Sequence, residues 1–142
     1  MTDYEGGIAS PLIAWWPKGL KNKGRLSHRM SHISDIMPTC LELAGATYPS
    51  TFEGRALLPL AGKSFVNVLR GPEDAHDAHR VLAWPKALRE GNWKLMLGKE
   101  PELYAISEDR NEIEDLAAKY PERVHKMKEL HSKLFSVNRR SR

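Results

Sequence analysis

The chain is poor in cysteine, in long apolar runs and in repeats, and each shortage excludes something. Cys40 is the only cysteine, so no internal disulfide can close and no cysteine-based zinc site can be built. No run of 18 apolar residues occurs, which excludes a transmembrane helix and membrane partners of that kind. The opening Met1-Thr2-Asp3-Tyr4-Glu5 lacks the basic start and apolar stretch of a secretory signal. Aromatic residues do not interleave with the basic ones. Lys18, Lys21, Lys23 and Arg25 share one Gly-punctuated loop, and Arg139, Arg140 and Arg142 form a tail. The net charge of +4 therefore reads as solvated loop and tail charge rather than as a nucleic-acid surface, which would pair cations with stacking platforms. A hydrophobic share of 41% with 28% charged residues argues against disorder of the whole chain.

What is present begins with Tyr4-Glu5-Gly6-Gly7-Ile8, a glycine turn feeding the apolar stretch Pro11-Leu12-Ile13-Ala14-Trp15-Trp16. A strand without polar alternation is expected to be buried on both faces, as in a parallel sheet. It is alone of its kind here, so its neighbours are expected in sequence outside this chain, and self-association or pairing with a complementary piece is expected through it. A basic loop over residues 18–29 follows. Ser34 or Asp35 then caps a helix with Pro38 in its first turn and Gly45 at its end. Ile36, Met37, Cys40, Leu41, Leu43 and Ala44 give that helix an apolar face. Glu53 to Leu60 reads as a turn and a short helical segment.

The polar, Pro/Gly-punctuated stretch from Gly71 to His79 divides the chain into residues 1–72 and 73–142. The second half changes texture. Four short strands are predicted at Arg80–Trp84, Ala87–Glu90, Trp93–Leu97 and Leu103–Ile106, with a hairpin turn at Glu90-Gly91-Asn92. Asn111 and Glu114 predict a capping box for a helix over Ile113–Lys119. Pro121 opens a last helix whose stripe of Val124, Met127, Leu130, Leu134 and Phe135 covers one side of the small sheet.

Taken in order, these segments resemble the C-terminal third of the sulfatases (arylsulfatase type, alkaline-phosphatase-like superfamily). Tyr4-Glu5-Gly6-Gly7-Ile8 with Pro11 and Trp16-Pro17 resembles Y-E-G-G-x-x-x-P. Asp35-Ile36-Met37-Pro38-Thr39 with Leu43-Ala44-Gly45 resembles D-[ILF]-x-P-T…L-A-G. Glu53-Gly54-Arg55-Ala56-Leu57-Leu58-Pro59-Leu60 resembles D/E-G-x-S-L-L-P-L. Ala87-Leu88-Arg89-Glu90-Gly91-Asn92-Trp93-Lys94-Leu95 resembles A-[VIL]-R-x-G-x-W-K-L. Glu102-Leu103-Tyr104 with Asp109, Glu112 and Asp115-Leu116-Ala117 resembles E-L-Y-D-L…D-P-x-E-x-x-N-L-A. The resemblance implies an α/β fold. It would be the C-terminal part of an alkaline-phosphatase-like sulfatase, one buried strand and helices followed by a small four-stranded antiparallel sheet packed with a C-terminal helix. It points to sulfatases rather than to the phosphodiesterases and phosphoglycerate mutases of the same superfamily.

The resemblance also implies chemistry. Sulfatases cleave sulfate esters with a formylglycine made from the Cys or Ser of C/S-x-P-x-R, assisted by calcium. The nucleophile motif and the metal carboxylates belong to earlier sequence, and the family's catalytic lysine falls before Tyr4. No catalytic residue and no metal ligand is therefore expected in this chain. Cys40 has no Pro two residues on and no Arg four residues on, and it reads as a small buried hydrophobe. His28 and His32 are spaced for one helix face but lack the glutamate of H-E-x-x-H, so they read as structural or surface groups. His76 and His79, beside Glu73, Asp74 and Asp77, read as a solvated linker, with an adventitious metal site as the alternative. Glu5, Gly6 and Gly7 are expected to border the active site, or else Glu5 binds turn amides while the glycines supply backbone freedom. Lys86 can contact an anionic substrate or stand as a solvated edge charge. Trp93 and Tyr104 read as core residues.

The expected function is thus the C-terminal part of a sulfate-ester hydrolase, inactive alone, with calcium bound by the parent enzyme only. The alternatives are a stand-alone, non-enzymatic binding or scaffolding module of sulfatase descent and, more remotely, a small nucleic-acid binder driven by the basic tail. For a bacterial sulfatase a periplasmic or secreted location fits, but the compartment is not readable from these residues.

Overall fold

The structure is a computed structural model that describes residues 2–20, 24–71 and 80–140. The chain divides into two compact units, Met1–Leu12 with Ala78–Arg142, and Ile13–Asp77. The opening residues thus group with the second half of the sequence. Of the loop and tail charges named above, Lys21, Lys23, Glu73, Asp74, His76, Asp77, His79 and Arg142 lie outside the described residues. Among the described residues no helix is long and apolar enough to cross a membrane.

The sheet unit starts with a one-turn helix, α1 (Glu5–Ile8), where the sequence suggested a glycine turn. None of its residues needs a positive φ. The requirement at Gly7 is space, because a Cβ there would stand 2.2 Å from the Thr2 carbonyl oxygen. Gly6 has nothing within 4 Å, so the two glycines are not equivalent.

Four antiparallel strands follow in sequence order. They are β3 (Val81–Trp84), β4 (Ala87–Glu90), β5 (Trp93–Met96) and β6 (Glu102–Ala105); β1 and β2 lie in the other unit. The predicted strands are all present, each within a residue or so at its ends. Trp84 pairs with Ala87 and Glu90 with Trp93, so both first hairpins close through two residues. The second opens on Gly91 at φ 55, the conformation such tight loops favour.

Alternation along the strands gives the sheet two unlike faces. One carries Leu88, Leu95 and Leu103, fully buried with Val124 and Met127 of α4 (Pro121–Arg140). That is the helix and the stripe the 3.6-residue spacing predicts. Trp93 packs against this core, edge-on to Tyr120 with ring centroids 5.2 Å apart. The other face carries the cross-strand row Arg89–Lys94–Tyr104, flanked by Ala87 and Met96.

The helix predicted over Ile113–Lys119 does not form. Two carboxylates capture the amides it would need. Asp109 accepts from Ile113 and Glu114 at 2.8 and 2.9 Å, and Asp115 accepts from Leu103 and Ala117 at 2.9 and 2.8 Å. Aspartates that bond nearby amides compete with helix in this way. Glu112, at φ 57, is turned inward instead.

In the second unit, a 3₁₀ turn (Ile33–Asp35) leads into α2 (Ile36–Ala44), which ends on Gly45 in the left-handed conformation at φ 63. The N-terminal cap is reciprocal. The Ser34 amide donates to His32 Nδ1 at 3.3 Å, and the His32 amide to Asp35 Oδ2 at 2.8 Å. Asp35, completely buried, also accepts from the Lys63 amide at 2.8 Å. Thr39 Oγ1 donates to the Asp35 carbonyl at 2.6 Å and accepts from the Phe65 amide at 3.1 Å. Phe65 and Val66, at the start of α3 (Val66–Arg70), are buried there.

Three expectations fail in this unit. Glu53 to Leu60 holds no helix. It holds a hairpin, β1 (Thr51–Phe52) with β2 (Arg55–Ala56), because Glu53 and Gly54 take φ 49 and 77, as a tight hairpin loop requires. The stretch from Pro11 to Trp16 is not a buried strand. It pairs with no strand among the described residues, and Ile13 and Trp15 are 87% and 85% exposed. A strand needs neighbours to exist, and the described residues offer it none. Cys40 is exposed rather than buried, because nothing here covers its side of α2, where Ile36 and Met37 are exposed as well.

The core of the sheet unit is small, so each buried leucine matters. Leu95→Ala is expected to cost about 2–5 kcal/mol in urea unfolding. Leu58→Ala, at 84% exposure, should change stability by less than about 0.5 kcal/mol.

Candidate functional site

Lys94 stands mid-strand on the sheet face opposite α4, and its side chain is completely buried. A buried ammonium is very costly unless paired. Here it lies 3.1 Å from Glu5 Oε1 and 2.8 Å from Glu112 Oε1. Arg89, beside it on β4, reaches Glu5 Oε2 at 3.4 Å. The second oxygen of Glu112 accepts from the Glu5 backbone amide at 2.6 Å. Lys94, the two carboxylates and the Glu5 amide thus close a ring, with Arg89 attached through Glu5, that straps residues 2–8 across the charged face of the sheet. Burial pushes the Arg89 guanidinium below its ordinary pKa, and Glu5 opposes that shift.

A second contact fastens the same strap. Tyr4 Oη donates to Glu102 Oε2, which also accepts from Tyr104 Oη at 3.0 Å. The bond to Glu102 pushes the Tyr4 phenol up to about 12. The Tyr104 phenol is raised too, by burial first and by Glu102 second. Tyr104 is therefore a core residue, as expected, but on the face away from α4.

Next to the strap lies an open cleft of about 480 Å³, lined by residues that include Asp3, Tyr4, Pro85, Lys86, Glu100 and Glu102. Lys86 is exposed on the two-residue loop between β3 and β4. Its backbone amide donates to Asp3 Oδ2 at 2.9 Å. Of the residues the sequence put forward, Lys86 lines this cleft, whereas Glu5, Gly6 and Gly7 do not. The Glu5 carboxylate is paired with Lys94 and Arg89 rather than with turn amides. His28 and His32 share no helix, and His32 is a cap. Among the described residues no three His, Cys, Asp or Glu side chains are grouped to hold a metal ion. The family's calcium therefore does not fit the described residues as a self-sufficient site.

Sequence reasoning missed the ion ring. One signal was available: a lysine between Trp93 and Leu95 in a short strand must face the opposite side from its apolar neighbour, and Glu112 of the fifth motif had no stated role.

The ring and the strap join residues from three of the motifs singled out above: Glu5 and Tyr4 from the first, Arg89 and Lys94 from the fourth, and Glu102 and Glu112 from the fifth. Comparisons with known proteins give the family. The family model described as N-sulphoglucosamine sulphohydrolase, C-terminal, matches residues 2–140, and the chain belongs to that sulfatase family. It is similar to human arylsulfatase K, with 32% identity over 145 aligned positions covering 93% of this chain and 27% of that protein. It is also similar to human N-acetylgalactosamine-6-sulfatase, with 45% identity over 60 positions covering 41% of this chain and 11% of that protein. Among solved structures, one determined in complex with its substrate D-glucosamine-2-N,6-O-disulfate superposes with a TM-score of 0.58 at 22% identity, covering 84% of this chain and 26% of that one. The likeness to it is one of fold. The chain spans about a quarter of the length of the curated relatives it matches across most of its residues.

Two outcomes test the site. Lys94→Met leaves the buried Glu112 without its cation and Glu5 with Arg89 alone, and should lower unfolding free energy by about 3–5 kcal/mol. Adding Glu5→Gln and Glu112→Gln should recover part of it. A single variant as stable as the parent would remove the ring from its place as the strap's anchor. The second concerns pH. Because the folded-state pKa of Tyr4 lies above its ordinary value of 10.0, the bond to Glu102 is intact below about pH 10 and is lost as pH rises toward 12. Phenolate absorbance should therefore show a late-titrating tyrosine, and Glu102→Gln should bring that titration to lower pH.

Proposed function

We propose that this chain is the C-terminal part of an enzyme that hydrolyses sulfate esters. In this reading, a formylglycine nucleophile and a calcium ion come from residues outside those described. The sheet unit supplies a wall beside the substrate, and Lys86 meets its anionic group. The observation that carries the reading is the family match over residues 2–140, whose motif residues are the ones that hold each other in the buried ring. The names of the relatives support a sulfate ester as substrate. In this reading calcium is held by residues of the longer enzyme, and this chain takes no step through the metal. The exposed stretch around Ile13 and Trp15 is read as the surface on which the rest of the sulfatase, or failing that a second copy, packs.

The contribution of this chain is then rigidity. A wall that orients a substrate must hold its own backbone still, and the ring around Lys94 does that for the sheet beside Lys86.

The 142-residue chain, assayed with an aryl sulfate and calcium, should give no turnover above buffer. The coding sequence before Met1, read in all frames, should hold an in-frame C/S-x-P-x-R motif, and the longer protein should hydrolyse the same ester. Robust hydrolysis by the isolated chain would overturn the assignment of the nucleophile to other residues.

A further inference from the structure

The loop carrying Lys86 is held from three directions by its backbone alone. Asp3 Oδ2 accepts from the Lys86 amide at 2.9 Å. The Lys86 carbonyl accepts from the Leu97 amide at 2.8 Å. The Trp84 carbonyl, one residue before the loop, accepts from His131 Nε2 of α4 at 2.8 Å. None of these contacts uses the Lys86 ammonium, which has no ion-pair partner among the described residues. The main chain is fixed and the charge is left over.

Among the described residues lining the cleft that ammonium is the one cation, against the carboxylates of Asp3, Glu100 and Glu102, a formal charge of −2 over those residues. These carboxylates are not alike. Glu102 Oε2 is committed to two phenols and Asp3 Oδ2 to an amide, so each has one oxygen left to accept. Glu100 is exposed. The cleft therefore offers one strong donor for an anion, several acceptors for hydroxyl or amide hydrogens, and an apolar floor that includes Pro85 and Met96.

We propose that Asp3 is the positioning residue of a specificity cleft, holding Lys86 as a single cation among acceptors, so that the cleft takes a sulfate ester bearing one charged group among hydroxyls and rejects polyanions. This rests on the reading that Lys86 meets the anionic substrate. A first sulfate is matched by the ammonium, whereas a second in the same space meets carboxylates with no cation to answer them. Like charges a few ångströms apart at a wet surface cost enough to weaken binding about fivefold or more.

The test reads binding to the 142-residue chain, not turnover. Glucose monosulfate, titrated against ¹⁵N-labelled protein, should shift the amides of Lys86 and Gly98, and sucrose octasulfate should bind there at least about fivefold more weakly. Lys86→Ala should abolish the monosulfate shifts. Asp3→Ala should weaken monosulfate about tenfold by freeing the loop, with the remaining sheet amides unmoved. Asp3→Asn keeps an acceptor for the Lys86 amide and removes a charge, so it should preserve monosulfate affinity and narrow the gap to octasulfate. Glu100→Gln, which touches no part of the loop, should narrow the same gap. The proposal is overturned if octasulfate binds as tightly as monosulfate, if monosulfate produces no shift, or if Asp3→Ala leaves affinity unchanged. A longer protein without sulfatase activity would sink the functional reading while leaving these shifts in place.

Discussion

One buried ammonium organises the sheet unit. Lys94 cannot be desolvated without carboxylates, and the two that answer it come from positions on either side of it in sequence, Glu5 and Glu112. Meeting that requirement brings the strap to the sheet and turns Glu112 inward at a positive φ. The ion ring does not add much net stability by comparison with a packed apolar cluster of the same volume. What it fixes is register: only one placement of residues 2–8 satisfies Lys94, Arg89 and the Glu5 amide together. Tyr4 then lands on Glu102, and Asp3 on the Lys86 loop.

The two faces of the sheet divide the labour. Toward α4 the contacts are apolar and tolerant of small shifts, since leucine, valine and methionine pack without directional bonds. Toward the strap they are directional and charged. The helix side provides most of the driving force for folding, and the strap side provides the geometry of the cleft. The loop between β3 and β4 sits where both act on it, with His131 reaching it from α4 and Asp3 from the strap.

How much of this was legible depended on the range of the interaction. The four strands, the Gly91 hairpin, the α4 stripe and the Gly45 helix end are set by neighbours a few residues apart, and the sequence announces them. The ring is set by pairs 89 and 107 residues apart, and single-sequence periodicity carries nothing about such pairs. The helix expected near Ile113 was lost to aspartates whose capping partners could be counted in the sequence but not ranked. The stretch from Pro11 to Trp16 failed for another reason. Its apolar composition reads as a buried strand only where neighbours cover it, and the described residues supply none. Family resemblance located the motifs but not their mutual bonds, so the pairing of Glu5 with Lys94 and Arg89 was not legible.

The strap also dictates an order of events. It precedes its partners in the chain: Arg89, Lys94 and Glu112 follow only after the whole of Ile13–Asp77 has been made. Closing so long a loop is entropically slow, and contacts of such separation set the pace of folding. Until then the sheet's charged face has no lid, and water must solvate it. The intervening unit is in effect a tether whose own compaction shortens the search, so a mutation there can slow assembly of a ring to which it contributes no residue.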